Sequence, residues 1–376
     1  MAVSQTTTVG PDVVVPGSQQ VAPAFFALVT VLAISVAIVS LVRRRRRTAH
    51  DLPRRRPVVL SVAVVVALVA AGLTAVNLPP PFFVPRFGTL PRLMPAEAFF
   101  YRPIQDLPVA ADSARWIAAM DGLPLAPGIS GEVIDGIVWG TPFNMVDRST
   151  AMKDVSIKLA PDTSYPGPYP IADPAYIEGM PTYGFDQHYI AVDEDRRLMW
   201  ELLSTRAWFG RWEADSGALW HMDRLTYGEG STIAAGLPLL PGTVTYDEVA
   251  AGTVGHAILA VVPVTAQGRF VWPATGTDGR STDPDAPPQG AWLRLRSDAN
   301  LSELGPQARV IAAAMRDHGI VLSDTGGVFG LRATPDGRWK NSDLLTLGSL
   351  STDDFEVVDP AGIIVSPDSM AAKPQG

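Results

Sequence analysis

Two side chains spaced two residues apart are the clearest candidates for acid–base chemistry in this sequence. Asp186 and His188 come directly before the apolar run 189–192, and in an extended chain residues two apart point to the same face. Histidine titrates near neutral pH, and an adjacent carboxylate can exchange a proton with it or orient its ring. We therefore expect an acid–base pair at the start of this strand.

Further carboxylates and a second histidine stand beside turn residues elsewhere in the chain. Glycoside hydrolysis needs two carboxyl groups, roughly 5 to 5.5 Å apart for retention or ~6.5 to 9.5 Å for inversion, whereas a lyase would use a base such as His188. The alternative is that these acids only form turns or begin helices. The predicted catalytic residues are Asp186, His188, Asp247, Glu248, His256 and Asp285.

Aromatic residues are concentrated in the same half of the chain. Exposed aromatic faces in a groove can hold sugar rings, although most tryptophans are expected to be core residues because their large side chains bury well. The predicted substrate-binding residues are Trp212, Ser216, Tyr246 and Trp292.

Several common functional signatures are missing from the sequence. There is no Gly-rich phosphate loop, no dinucleotide fingerprint, no His-Glu-x-x-His pair and no Gly-x-Ser-x-Gly elbow. The chain has no cysteine, which excludes thiol catalysis and cysteine metal sites. His188, His256 and the acids can in principle bind Zn²⁺ or Ca²⁺, but no recognisable ligand spacing supports it. We predict no cofactor and no metal site.

The elements that position these residues are mostly short strands separated by Gly, Pro, Asp and Asn. Residues 189–193 and 197–203 predict a hairpin, and residues 304–318 predict a helix that begins near Pro306 and ends before Gly319. Close spacing of short strands favours a sandwich over a parallel α/β sheet. The predicted fold is mainly β, an antiparallel sandwich or jelly-roll-like extracytoplasmic domain with one or two helices, preceded by two transmembrane helices.

The N-terminal part of the chain has a different composition. Two apolar runs, 21–42 and 58–77, each have about the 20 residues that a membrane-spanning helix needs, and the arginine-rich loop 43–57 between them is predicted to stay in the cytoplasm. This arrangement places a short tail, 1–20, and the rest of the chain outside. A Pro-rich stalk, 78–128, is predicted to lead to a β domain, 129–376.

This topology predicts that the protein resides in a bacterial cytoplasmic membrane, with its main domain facing the periplasm or cell wall. The lipid bilayer is one predicted partner. The chain has 38 acidic against 30 basic residues, and eight of its arginines lie in the loop 43–57, so the predicted outer domain is anionic. Nucleic-acid binding is therefore not expected, and the short loop is confined at the membrane.

An ordered set of short motifs runs from Asp186 to Asp324. It comprises Asp-x-His, Ser-Gly-Ala, Gly-Leu-Pro-x-Leu-Pro-Gly, Tyr-Asp-Glu-Val, His-Ala, Asp-Pro-x-x-Pro-Pro-x-Gly and Asp-x-Gly. In this order the set resembles a widespread group of secreted and envelope bacterial proteins, over roughly the last 190 residues. Residues 219–223 depart from that pattern, because a more polar Asp-Leu element is expected there.

The resemblance implies an extracellular, carbohydrate-associated protein, with a cell-envelope or extracellular glycan as its partner. Two functions follow as expectations. The first is cleavage of an envelope or extracellular polysaccharide by hydrolysis or elimination. The second is a non-catalytic envelope binding or assembly module. Convergence of Asp186, His188, His256 and a further acid in one cleft would favour the first function.

Overall fold

The computed structural model of the protein describes residues 84–375. Within this part the chain forms many short strands, four α-helices and several 3₁₀ helices. The strands are β1 (Leu125–Ala126), β2 (Val133–Ile134), β3 (Ile137–Val138), β4 (Asn144–Met145), β5 (Met152–Lys153), β6 (Val155–Ile157), β7 (Tyr169–Pro170), β8 (Tyr189–Asp193), β9 (Leu198–Leu203), β10 (Arg206–Trp208), β11 (Arg211–Ala214), β12 (Ser216–His221), β13 (Ile258–Val262), β14 (Trp292–Leu295), β15 (Ile320–Thr325), β16 (Phe329–Leu331) and β17 (Phe355–Val358). The helices are α1 (Ser113–Ala118), α2 (Tyr246–Ala250), α3 (Pro306–Asp317) and α4 (Asn341–Leu344), and the 3₁₀ helices are Phe99–Tyr101, Pro161–Thr163, Leu240–Gly242, Leu345–Ser349 and Thr352–Asp354.

Two main sheets share an apolar layer. The larger has the strand order β1-β16-β13-β15-β14-β17, and the smaller has the order β12-β9-β8-β4. Ile190 and Val192 of β8 join Leu259 of β13 and Val321 of β15 in one buried cluster. Because strand side chains alternate between faces, Tyr189 and Ala191 of β8 enter a second cluster on the far face of the smaller sheet.

Helix α3 covers the opposite face of the larger sheet. Its residues Ile311 and Met315 pack with Ile320 and Leu322 of β15 in a third buried cluster. The helix begins with Pro306, whose fixed φ suits the first helical position, and Gly319, at φ +78°, follows its end. The sequence-based prediction of this helix is confirmed, with ends one or two residues inside the predicted ones.

A carboxylate from another element caps α3. Asp343, in α4, accepts hydrogen bonds from the backbone N–H groups of Gln307 and Ala308, each at 3.0 Å. These are two of the first-turn donors that have no partner within a helix. Asp343 therefore ties α4 to the start of α3.

Removing this cap is expected to lower the stability of the fold. Asp343→Ala leaves the two amide donors unpaired, and we expect a loss of about 1–2 kcal/mol of unfolding free energy, measured by urea denaturation. Asp298→Ala is the control, because Asp298 pairs with Arg296 on the surface and such pairs contribute little. Equal denaturation midpoints for the two variants would contradict the capping role.

The β-rich character of the prediction is confirmed, but the predicted fold class is wrong in its details. The larger sheet is mixed, because β13 runs parallel to β15 and β1 parallel to β16, so the domain is not an antiparallel jelly roll. Helix α3 covers one face of this sheet, and the chain between β13 and β15 runs through β14 and then α3. None of the helices in the described part is both long and apolar enough to span a bilayer. The predicted spans 21–42 and 58–77 lie outside the described residues, as do the tail 1–20 and the loop 43–57.

The predicted stalk, 78–128, is corrected over its described part. Phe99 and Phe100 are fully buried in the cluster between the two main sheets. The N–H of Phe99 donates to the carbonyl of Met370, and the carbonyl of Phe100 accepts from the N–H of Ala257. Prolines in this segment interrupt helices and strands, but the large apolar side chains between them still bury. Residues 84–128 are thus part of the domain itself.

Candidate functional site

A loop of residues 178–188 brings three polar side chains together at one end of the smaller sheet. Its two ends are joined, because the N–H of Glu178 donates to the carbonyl of His188 at 2.9 Å. The N–H of Val138 in β3 donates to Met180, and the N–H of Ser204 after β9 donates to the carbonyl of Asp186. At the tip, the hydroxyl of Thr182 donates to the carbonyl of Gly136 at 2.8 Å, so the loop is fixed at both its base and its tip.

The backbone of this loop is strained. Tyr183, Phe185 and Gln187 have φ values of +58°, +60° and +53°, in the left-handed region that bulky side chains rarely adopt. Gly179 has φ +77°, and a β-carbon there would lie 1.9 Å from the carbonyl oxygen of Gly184, so only glycine fits. Such strain persists where surrounding structure enforces it, and it is concentrated at functional sites.

Glu178, Asp186 and His188 form the core of the candidate site. One oxygen of each carboxylate and one ring nitrogen of the histidine all lie within 4.8 Å of one another. Glu178 and His188 are buried, at 5% and 1% exposure, while Asp186 is exposed to solvent. The Glu178 carboxyl accepts hydrogen bonds from the hydroxyl of Thr141 at 2.9 Å and from the N–H of His188 at 3.2 Å. The site therefore has a buried acid and a solvent-facing acid side by side.

Arg332 supplies a buried positive charge behind this group. Its guanidinium lies 3.8 Å from Glu178 and 3.1 Å from Asp324, whose other carboxyl oxygen accepts from the N–H of Ala234. Arg332 directly follows β16, and Asp324 lies near the end of β15. The β13–β15 register shifts between Ala260 and Val261, and such irregularities re-aim side chains.

Burial sets the protonation states of this cluster. Loss of solvation, with a smaller contribution from the charge of Asp186, raises the pKa of Glu178 to about 7 against the opposing effect of Arg332. Loss of solvation likewise raises the pKa of Asp324 to about 6. Burial and then the charge of Arg332 hold the pKa of His188 well below its ordinary value. Near neutral pH, Glu178 is therefore partly protonated and the imidazole is neutral.

The same three side chains have the donor types of a cation site. However, the guanidinium of Arg332 is already 3.8 Å from Glu178, and both Glu178 oxygens accept hydrogen bonds from Thr141 and His188. A metal ion would have to displace these donors and lie beside a fixed positive charge. The arrangement suits proton transfer better than metal binding.

Glu248 and His256 form a second pair. Nε2 of His256 lies 3.1 Å from a Glu248 oxygen, and Nδ1 lies 2.9 Å from the carbonyl of Ala257. Glu248 also closes a capping box with Thr245 at the start of α2. The pair borders a cavity of about 160 Å³, together with Arg92 and Tyr101.

The two ring nitrogens of His256 both face acceptors, which favours the charged imidazolium. Burial alone would lower the pKa of His256, but the Glu248 carboxylate outweighs burial and leaves this pKa raised. Burial would likewise raise the pKa of Glu248, but His256 leaves it lowered. The two side chains therefore form an ion pair near neutral pH, with a buried imidazolium and a half-buried carboxylate.

This pair predicts a pH-dependent contribution to stability. The pKa of His256 is higher in the folded chain than its value of about 6.5 in the unfolded chain. The ion pair therefore stabilises the fold fully below about pH 6.5, and this stabilisation is lost as the pH rises through the pKa of His256 in the folded chain. We expect His256→Gln to cost about 2 kcal/mol at pH 6, with the deficit shrinking towards pH 9. Urea denaturation of both chains between pH 6 and 9 measures this. A deficit that is constant across that range would contradict an ion pair.

The two pairs do not converge in one cleft, which is the arrangement that would have favoured cleavage over a binding module. His256 lies two residues before the start of β13, whereas Asp324 pairs in register with Val261, five residues beyond His256. At about 3.3 Å per residue, the separation along the chain is roughly 16 Å. Asp186 and His188 therefore belong to one site, and Glu248 and His256 to another.

The other predicted catalytic acids are engaged in ion pairs. Asp247 contacts Arg338 at 2.7 Å and accepts from the hydroxyl of Thr89. Asp285 lies in an exposed loop and pairs with Arg115. In the described part of the structure neither contacts Glu178, Asp186 or His188, so both lie outside the acid–base cluster.

The predicted substrate-binding residues have mainly structural positions. Trp292 is 1% exposed and donates from Nε1 to the carbonyl of His318, so it is a core residue. Tyr246 packs edge-on against Trp339 and lies under the guanidinium of Arg338. Ser216 is buried in β12, and Trp212 is partly buried in β11. Trp292 was wrongly predicted to contact substrate because aromatic residues in cores and grooves look alike in sequence.

Three residues of the site were missed in the sequence. Glu178 follows the apolar residues Tyr176 and Ile177, and an acid directly after an apolar run was the available signal. Asp324 belongs to the Asp-x-Gly turn but had no assigned role, and Arg332 had no local signal. Tertiary packing alone brings Arg332 to Glu178.

Comparison with known proteins gives no relative from which to assign this site. The chain matches no protein-family model, no curated protein and no solved structure.

Proposed function

We propose that this domain cleaves glycosidic bonds in a cell-envelope or extracellular polysaccharide at the Glu178–Asp186–His188 cluster. The observation that carries the proposal is the pairing of a buried Glu178, with its pKa raised to about 7, and a solvent-facing Asp186 within 4.8 Å. Two carboxyl groups in different environments can take different roles, one as acid and one as base or nucleophile.

The separation of the two carboxyl groups favours a retaining mechanism. Protonated Glu178 donates its proton to the glycosidic oxygen as the bond to the anomeric carbon breaks, and the Asp186 carboxylate forms an ester with that carbon. Glu178, now a carboxylate, takes a proton from water, whose oxygen attacks the anomeric carbon and releases Asp186. Inversion needs a wider gap, about 6.5–9.5 Å, to hold the water between the groups.

The remaining members of the cluster position these two acids. Neutral His188 donates its backbone N–H to Glu178 and adds no charge beside it. Arg332 lies between Glu178 and Asp324 and limits the rise of both pKa values. Because the guanidinium of Arg332 lies 3.8 Å away, the pKa of Glu178 stays at about 7 rather than rising further. Near neutral pH Glu178 can therefore both donate and accept a proton.

Asp186→Asn tests the proposal on a surface residue whose replacement leaves the core intact. The full-length chain is incubated with a panel of envelope polysaccharides, and release of reducing ends and the anomer of the first product are measured. We expect product with retained configuration from the parent and a loss of about 10²-fold or more in the variant. Asp195→Asn, in the turn between β8 and β9, is the matched control and should keep full activity. An inverted product, or equal rates for the two variants, would contradict the mechanism.

A non-catalytic binding module is the second candidate. Two observations favour it. His256 lies away from the Asp186–His188 site, and Glu178 and His188 are almost completely buried, as in a polar network that only anchors a loop. Polysaccharide binding by the parent, without release of any product, would support this function over cleavage.

A further inference from the structure

An exposed aromatic ring stands directly beside the solvent-facing acid of the site. Phe185 is 47% exposed and immediately precedes Asp186. Its ring meets that of Trp139 edge to face, with centroids 4.8 Å apart and an interplanar angle of 66°. Trp139 follows β3, whose Val138 is hydrogen-bonded to Met180 of the same loop. The Phe185 ring thus packs against Trp139, a residue from a distant part of the sequence.

The conformation and the exposure of Phe185 are both energetically unfavourable. Its φ of +60° is rare for a bulky residue, and its ring leaves apolar surface in water. Both features occur next to the only member of the Glu178–Asp186–His188 group that solvent reaches freely. Strained backbone together with an exposed aromatic ring, in a loop tied at its base and tip, is typical of a surface kept for a ligand.

Charge narrows the class of ligand. The exposed side chain beside Phe185 is the Asp186 carboxylate, and the positive charge of Arg332 is buried behind the site between Glu178 and Asp324. An acidic sugar would meet a like charge at the entrance, whereas a neutral or amino sugar would not. The C–H face of a pyranose ring is apolar and stacks on an aromatic ring, while its hydroxyl groups can reach the carboxylate.

We propose that Phe185, supported by Trp139, is a stacking platform that binds a neutral or amino-sugar ring next to Asp186. The claim that this ligand is also the substrate rests on the proposed cleavage at Asp186. The claim that Phe185 binds the ligand does not. The platform selects polysaccharides without uronic acids and holds one ring of the chain at the Asp186 carboxylate.

Binding of two polysaccharide probes by the full-length chain tests the platform. The probes are a soluble, partly N-acetylated glucosamine polymer and polygalacturonate, with affinity measured by calorimetry. We expect the parent to bind the first and not the second, Phe185→Ala to weaken the binding about tenfold, and Phe185→Trp to restore it. Phe270→Ala is the control, because Phe270 is also 47% exposed and lies elsewhere on the surface.

The outcomes separate this proposal from the proposed function. Asp186→Asn should remove cleavage, while binding of the amino-sugar probe remains measurable because the ring still stacks on Phe185. If the parent binds the probe through Phe185 but never cleaves a glycan, the platform stands and the cleavage mechanism fails. Unchanged affinity in Phe185→Ala, equal losses in Phe185→Ala and Phe270→Ala, preference for polygalacturonate, or no binding of either probe would overturn the platform.

Discussion

Glu178→Gln is expected to lower the rate of glycan cleavage by about 10²–10⁴-fold, the usual contribution of a general acid. The amide has nearly the shape of the acid and can still accept from Thr141, but it has no proton to donate to the glycosidic oxygen. The measurement is the initial rate of reducing-end release near pH 6, where most Glu178 of the parent is protonated, because its pKa is about 7.

The chain contains a matched control for this substitution. Glu201, in β9, is fully buried and its pKa is also raised to about 7 by burial. Its two oxygens accept from the hydroxyl of Thr232 and the N–H of Leu239, each at 2.8 Å, so it anchors a neighbouring loop inside the core. Glu201→Gln should leave the rate within about twofold of the parent. Equal losses in the two variants would assign the effect to a disturbed fold rather than to Glu178.

Arg332→Met is expected to have the largest effect on stability, a loss of about 3–5 kcal/mol at pH 8. Glu178 and Asp324 would then be buried carboxylates without their positive partner. Their folded pKa values, about 7 and 6 in the parent, already lie above those of the unfolded chain, so ionisation of these acids costs stability as the pH rises. Without Arg332 both values rise further, and the deficit is expected to shrink at pH 5, where both acids are protonated.

Urea denaturation of the parent and the variant at pH 5 and pH 8 measures this effect. Arg296→Met is the control, because Arg296 forms an exposed pair with Asp298 and should change stability by less than about 0.5 kcal/mol at either pH. A deficit for Arg332→Met that is larger at pH 5 than at pH 8 would contradict the assignment of Arg332 as the charge partner of these acids.

Local patterns predicted several elements of this fold. The hairpin of β8 and β9 pairs Tyr189 with Leu202 and Asp193 with Leu198, as the two apolar runs around an acidic turn indicate. The two-residue spacing of Asp186 and His188 also led to the site, although the segment is not extended as expected: Gln187 has φ +53°, and a strained turn brings both side chains to Glu178. These features depend on neighbours in sequence, which is why sequence reveals them.

Other features depend on turns or on distant contacts. Residues 131–138 suggest one strand, but Asp135 and Gly136 both have positive φ and fold it into the tight hairpin of β2 and β3. The parallel pairing of β13 with β15 joins strands separated by β14 and α3, a long-range contact that the strand pattern does not encode. Arg332 reaches Glu178 only after the two main sheets have packed together.

The central claim is that Glu178 acts as the proton donor of a glycan-cleaving site, and the pH dependence of cleavage tests it most directly. Initial rates on the best polysaccharide of the panel are measured from pH 5 to pH 9 with the full-length parent chain. Because cleavage requires protonated Glu178, we predict that kcat/KM falls tenfold per pH unit above about pH 7. A rate that stays level or rises between pH 7 and pH 9, or no cleavage of any polysaccharide at any pH, would contradict the claim.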